Sequence, residues 1–294
     1  MAIATVVGGA GRMGAWFANF LAANGYKVII CDKNEPAARK LAKRRRFKFI
    51  SSETRAAELS DIIILAAPTG ATKALLRRIV PHTPKTTLLV EISSIKEPVR
   101  RAIQSLTKRG VQILSIHPMF GPGAKNLAGK AILVAQEPPQ SQFARNLLSI
   151  FSKKGAKIIR SNLNDHDQIV ATTLALPHMM NFAFIETLKH AGVSFNKIRA
   201  IGGTTFRLQL LLAAALCHES PYNEASILAD NKCCRSVFAT FAQQINQIRN
   251  TAQKRPRSEL MNRIRNDAAY VRKDPMFRTA YERFTAAVEA PSHR

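Results

Sequence analysis

Up to residue 160 the chain alternates short, largely apolar runs with longer segments whose apolar positions return every three or four residues. The short runs, at 3–7, 27–31, 47–50, 62–66, 86–92, 111–116, 131–135 and 157–160, have strand length and are rich in Val and Ile. The longer ones, such as 13–23, 36–45, 71–80 and 97–108, have the period of amphipathic helices. Ile62-Ile63-Ile64-Leu65-Ala66 is apolar at every position, as a strand is when a parallel sheet is covered on both faces. This alternation predicts a doubly wound parallel α/β sheet over residues 1–160.

Beyond residue 160 the strand signal stops. A long helix is predicted over 164–189, interrupted by Pro177, followed by helices over 206–217, 223–250, 256–271 and 275–288. These segments are rich in Ala, Leu and Ile and carry more apolar face than five helices bury among themselves. Residues 161–294 are therefore expected to form an all-helical domain that packs against a second copy, giving a homodimer.

Composition narrows the class. Of 294 residues, 46% are hydrophobic and 21% charged, which excludes a disordered or collagen-like chain. No apolar run approaches the roughly 20 residues of a bilayer span. The longest, 208–217, contains Gln209, so no membrane partner is expected. The first strand begins without a basic leader, and Cys31, Cys217, Cys233 and Cys234 show no C-x-x-C spacing. Together these point to a reduced, cytoplasmic protein with no structural metal. Because the chain starts at its first strand and ends soon after its last helix, no further domain is expected.

Charge adds a question. Lys and Arg outnumber Asp and Glu 44 to 19, a formal +25. The excess is local, with 27 against 8 in residues 1–160, 7 against 6 in 161–250, and 10 against 5 in 251–294. A basic half invites a nucleic-acid reading. Against it, aromatic residues are only 7% and no helix-turn-helix, finger or RNP pattern is present. A basic surface that steers small anions into a crevice is the preferred reading.

The candidate chemistry begins with Gly9-Ala10-Gly11-Arg12-Met13-Gly14, a G-x-G-x-x-G that follows an apolar strand and opens a helix. The first glycine allows a tight turn, the second lets the backbone approach a pyrophosphate, and the third lets helix and strand pack closely. The diphosphate is expected on the amides of residues 9–14, Arg12 and Met13 included, where the helix dipole favours an anion. A second strand ends in Asp32, whose carboxylate suits ribose hydroxyls and disfavours a 2′-phosphate. NAD is therefore preferred to NADP, although Lys33, Arg39, Lys40 and the run Lys43-Arg44-Arg45-Arg46 leave NADP open.

Two further segments follow strand ends, where such folds bind ligands. They are Glu91-Ile92-Ser93-Ser94-Ile95-Lys96 and Ser115-Ile116-His117-Pro118-Met119-Phe120-Gly121-Pro122-Gly123. A histidine ending a strand and held by a Gly/Pro loop is placed to act as a general base. Taken alone, it packs as often as it catalyses.

With these motifs in order, the sequence resembles the prephenate/arogenate dehydrogenase family over nearly its whole length. The resemblance rests on the glycine loop, Ser94-Ile95-Lys96, His117-Pro118-Met119-Phe120-Gly121-Pro122, Asp165-His166-Asp167-Gln168 and Leu176-Pro177-His178. It implies a Rossmann domain followed by a helical dimerisation domain, and oxidation of prephenate or arogenate with NAD(P) and loss of CO2 in tyrosine biosynthesis. Carried onto this chain, it implies that His117 takes the proton of the substrate's ring hydroxyl. Ser94 would bond that hydroxyl or orient His117, Lys96 would add positive charge near substrate or nicotinamide, and His178 would contact substrate. His166 reads as a cap or interdomain hydrogen bond.

One departure stands out. The family presents an arginine for a substrate carboxylate about six residues before a proline, and here Ala215 occupies that position before Pro221. Arg207, eight residues earlier, is the candidate replacement. Prephenate is the expected substrate. Arogenate or another small-acid dehydrogenation, and a non-catalytic nucleotide-sensing or nucleic-acid-associated protein, are the alternatives.

Overall fold

The computed structural model describes residues 1–254 and 257–289. They fall into two units, Met1–Val170 with Ala229–Asn231, and Ala171–Leu228 with the residues from Lys232 onward. The first unit runs β1 (Ile3–Val7), α1 (Arg12–Ala23), β2 (Lys27–Cys31), α2 (Glu35–Arg45), β3 (Lys48–Phe49), α3 (Glu53–Glu58), β4 (Ile62–Leu65), α4 (Thr69–Ile79), β5 (Leu88–Glu91), α5 (Glu97–Lys108), β6 (Ile113–Pro118), β7 (Ala131–Val134), α6 (Gln142–Lys153), β8 (Lys157–Arg160) and α7 (His166–Val170).

The strands make one sheet in the order β3-β2-β1-β4-β5-β6-β7-β8. Alternate residues of the central strands feed two cores. Val6, Ile62, Ile64 and Val90 meet Phe17 of α1 and Phe151 of α6, whereas Val7, Ile63, Leu65 and Leu89 meet Leu76 of α4 and Ile103 of α5. Burying each such side chain contributes roughly 1.5–3 kcal/mol, so this double-sided burial holds the sheet. Strands β1 to β6 are parallel, which puts the ends of β1, β2, β5 and β6 on one edge.

The sheet differs from the all-parallel expectation at one pair, β6 with β7, which is antiparallel. The connection through residues 119–130 contains no helix to carry a crossover, so the chain returns antiparallel. α6 then supplies a crossover, and β8 lies parallel to β7. β6 also runs two residues further than the apolar pattern suggests. His117 thereby sits inside the sheet, opposite Leu133.

The second unit holds a π-helical turn at Ala171–Ala175, then α8 (Leu176–Lys189), α9 (Phe195–Ile201), α10 (Thr204–Leu216), most of α11 (Pro221–Ala229), α12 (Cys234–Lys254), α13 (Arg257–Val271), a 3-10 turn at Pro275–Thr279 and α14 (Ala280–Glu289). The interruption expected at Pro177 is this π turn just before it. The wider turn accommodates a residue that lacks an amide and crowds the carbonyl four positions back. The single helix expected over 223–250 is broken between α11 and α12. There Asn231, 2% exposed, turns its side chain to donate to the Asp167 carbonyl at 2.7 Å. Pro256, the expected start of the next helix, lies outside the described residues.

The helical stretch His166–Lys189 has the length and mean hydropathy (1.2) of a membrane span. It also carries His166 and Asp167, whose hydrogen bonds within the first unit are described next.

Candidate active site

The glycine loop between β1 and α1 is shaped by contacts that a side chain would block. A Cβ at Gly9 would lie 2.8 Å from Ile30 Cγ2 and 2.9 Å from the Val6 carbonyl oxygen, and one at Gly14 would collide with the Gly8 carbonyl. The left-handed turn belongs to Gly8 (φ +80), one residue ahead of the motif. The amides of Gly8 and Gly9 donate to the Cys31 carbonyl at 2.9 and 3.2 Å, tying the loop to β2. Gly11 caps α1 without a side-chain acceptor, and no acid occupies the first turn. The amides there are left for an anion. Arg12 is exposed in that turn, and Met13 packs half-buried against the core.

Asp32, just past β2, accepts from the amides of Ala10 and Asn34, each at 2.9 Å. A glycine cradle, an uncapped helix start and an adjacent carboxylate fit a dinucleotide. Among the cations weighed for a 2′-phosphate, Arg39 is engaged and the basic run stands at the far end of α2. Arg39 pairs with Glu35 at 3.0 Å and lies 4.3 Å over the Phe49 ring. The basic run Lys43–Arg46 stands at the far end of α2, about 16 Å along the helix, where cations complement the dipole.

On the same edge, the ends of β5 and β6 hold a buried polar cluster. Glu91 and Lys96 are 0% exposed and paired at 2.8 Å. Glu91 also accepts from the Ser93 amide at 2.5 Å and from Ser115 Oγ at 2.8 Å, while Lys96 Nζ donates to the Ile116 carbonyl at 2.8 Å. Burial pushes the Lys96 pKa down, opposed by the Glu91 charge and hydrogen bond. The expectation that Lys96 offers its charge to substrate is therefore corrected. Its ammonium is enclosed and engaged by Glu91 and by the backbone immediately before His117.

His117, 4% exposed, places Nδ1 3.1 Å from His166 Nε2. His166 Nδ1 in turn lies 2.8 Å from Asp167 Oδ1. The Asp167 carboxylate accepts from the amides of Lys96 and Glu97, each at 2.8 Å, at the start of α5. Burial holds the His117 pKa well below the usual histidine value, helped by the charges of His166 and Lys96. His166 is lowered chiefly by burial, against its bond to Asp167. Burial alone would raise Asp167, but hydrogen bonds from His166, Lys96 and Glu97 keep it below the normal range.

His117 Nε2 has no partner among the described residues, yet the one buried, unpartnered side-chain N or O among them is Gln112 Oε1. Nε2 must therefore reach the accessible surface. Ser94 is half-buried with no side-chain hydrogen bond among the described residues, so His166 and not Ser94 makes the contact that orients His117. From the sequence, Glu91 and Asp167 had no role, and His166 read as a cap or an interdomain hydrogen bond.

In the helical unit, half-buried His178 of α8 holds Nδ1 2.6 Å from Glu224 Oε2 of α11. Glu224 is 8% exposed and went unnoticed in the sequence. Arg207 is exposed in the first turn of α10 with no side-chain partner among the described residues. Ala215 lies eight residues on, about 12 Å along the helix, so Arg207 does not occupy the place of the missing arginine.

Comparison with known proteins bears on most of the chain. Residues 17–160 match the family described as "Prephenate dehydrogenase, nucleotide-binding domain" and residues 162–266 its "dimerization domain". A "Probable arogenate/prephenate dehydrogenase" of Methanocaldococcus jannaschii is 27% identical over 270 residues, 90% of this chain and 60% of the relative. The chain thus spans about three fifths of that relative's length. The fold matches prephenate dehydrogenase from Aquifex aeolicus, solved with hydroxyphenyl propionate and NAD+ (TM-score 0.76, 18% identity, 93% of this chain and 98% of that one). It also matches Synechocystis arogenate dehydrogenase (TM-score 0.70, 19% identity, 92% and 99%).

Proposed function

The chain belongs to the prephenate dehydrogenase family, and from that premise we propose that it oxidatively decarboxylates prephenate with NAD, yielding 4-hydroxyphenylpyruvate. The observation that carries this is His117: a buried neutral imidazole with one ring nitrogen open to solvent, on the sheet edge that also bears the glycine loop and Asp32. Bound NAD supplies the acceptor for hydride from the substrate's ring carbon. The chain's own work is with protons and position. His117 takes the proton of the ring hydroxyl as that carbon is oxidised. It returns the proton to the same oxygen when loss of CO2 makes the ring aromatic. Ser94, just past β5 and without a side-chain hydrogen bond among the described residues, is the group we assign to hydrogen-bond the hydroxyl.

NAD is favoured over NADP by the Asp32 carboxylate and by the engagement of Arg39. Prephenate, a dianion, is favoured over arogenate because the first 160 residues carry 27 Lys and Arg against 8 Asp and Glu. His178, held by Glu224, and Arg207 are proposed substrate contacts. A homodimer through the helical unit is supported by its exposed apolar side chains, among them Ile201 (76%), Leu211 (63%) and Ile264 (65%).

The test is absorbance of the reduced cofactor with prephenate or arogenate, each with NAD and with NADP. Turnover fastest with prephenate and NAD is expected; no signal in any of the four mixtures overturns the reading. Arg207→Ala is expected to raise KM for prephenate by about tenfold, the loss of one charged hydrogen bond of roughly 1.5 kcal/mol. An unchanged kcat/KM removes Arg207 from the site.

A further inference from the structure

We propose that His166 and Asp167 are positioning residues that hold His117 in the tautomer with its proton on Nδ1, leaving the Nε2 lone pair open as the proton acceptor. The use made of that lone pair rests on the dehydrogenase reading above; the tautomer itself rests on geometry. Asp167 is a carboxylate, an acceptor only. Its Oδ1 lies 2.8 Å from His166 Nδ1, so that nitrogen carries the proton. Neutral His166 then presents Nε2 as an acceptor. The atom facing it at 3.1 Å is His117 Nδ1, which must donate. A neutral His117 with its proton on Nδ1 has none on Nε2.

The direction of this chain is set by backbone. Two amides at the start of α5 hold the Asp167 carboxylate, and Asn231 holds its carbonyl, so the carboxylate cannot turn away. His117 is itself pinned in the sheet opposite Leu133. The other charged groups facing the pair are Lys96 and Glu91, which neutralise one another at 2.8 Å beneath the Ile116 carbonyl. The Asp167 charge is therefore the one left to balance the imidazolium formed when His117 accepts a proton, two hydrogen bonds away. A carboxylate that fixes an imidazole tautomer and stabilises its cation is a known catalytic arrangement. Here a second histidine extends its reach.

The experiment reads the tautomer first. In native protein labelled with 15N-histidine, long-range 1H–15N correlation at neutral pH should show His117 protonated on Nδ1 and bare on Nε2, with its signals assigned by their loss in His117→Asn. A proton on Nε2 overturns the proposal. His166→Phe removes the acceptor, while His166→Gln keeps an oxygen near the position of Nε2. His166→Phe is expected to lower kcat by about a hundredfold with KM changed less than about threefold. His166→Gln is expected to stay within about tenfold of native. Equal impairment by Gln and Phe also overturns the proposal. If neither variant folds, the native spectrum alone decides. Should the native protein turn over neither prephenate nor arogenate, the functional reading falls while the tautomer result stands.

Discussion

His117 combines two properties that a surface histidine does not have together: burial keeps it neutral, and a hydrogen bond directs its open lone pair. The proton-acceptor role proposed for it requires the neutral form. Because its pKa is held below the usual value, kcat/KM should stay level through neutrality and fall only below the ordinary histidine range, near 6.5. An acid limb at or above pH 6.5 contradicts it. His117→Gln removes the base and should cost on the order of 10²- to 10⁴-fold in kcat, measured by stopped-flow or steady-state absorbance. The glycine loop and Asp32 were legible residue by residue, because their contacts lie within one strand–turn–helix and its neighbouring strand. His166 and Asp167 were not, since the bonds that define them span 49 and 71 positions.

At the scale of elements, the ends of β5 and β6 and the start of α5 are joined by the Glu91–Lys96 pair. Every charged oxygen and the ammonium in it has a protein partner, so the pair is tolerated with no exposure at all. Lys96→Met leaves Glu91 buried and unpaired and should destabilise by about 3–5 kcal/mol. Adding Glu91→Gln removes the orphan charge and should recover part of that loss, read as the urea midpoint of each variant. A Lys96→Met protein as stable as native would mean that water enters the cluster. Most strand and helix positions followed from periodicity, α9 and the break between α11 and α12 aside, but the β6–β7 reversal did not. It depends on the lack of a crossover helix in residues 119–130, which sets strand direction and not strand identity.

At the scale of the molecule, two histidines folded neutral make stability depend on pH. The unfolded chain binds protons on both below about pH 6.5, while the folded chain, with both pKa values lowered, does not. Stability should therefore fall as pH drops below that point, by up to about 1.4 kcal/mol per pH unit for each group, until the folded values are reached. Thermal melting between pH 7.5 and 5 measures it; a level Tm contradicts the burial of both imidazoles. The +25 charge acts at longer range. If it steers anions, kcat/KM for prephenate should decline as salt shortens the Debye length from about 10 Å at 0.1 M to 3 Å at 1 M, with kcat little changed. Equal kcat/KM at both salt concentrations assigns the charge no part in capture.

The sequence by itself determined the doubly wound domain, the helical domain after it, the dinucleotide loop and the candidate histidine at a strand end. Each is written in spacings of two to about twenty residues, where side-chain period, turn chemistry and strand order act locally. Only the tertiary structure decided how that histidine is supported. It turned Lys96 inward to Glu91, put His166 rather than Ser94 against His117, and set Glu224 behind His178 across 46 residues. The physical reason is that a buried polar group must find its partner wherever the fold brings one, and no local pattern records which distant residue that will be.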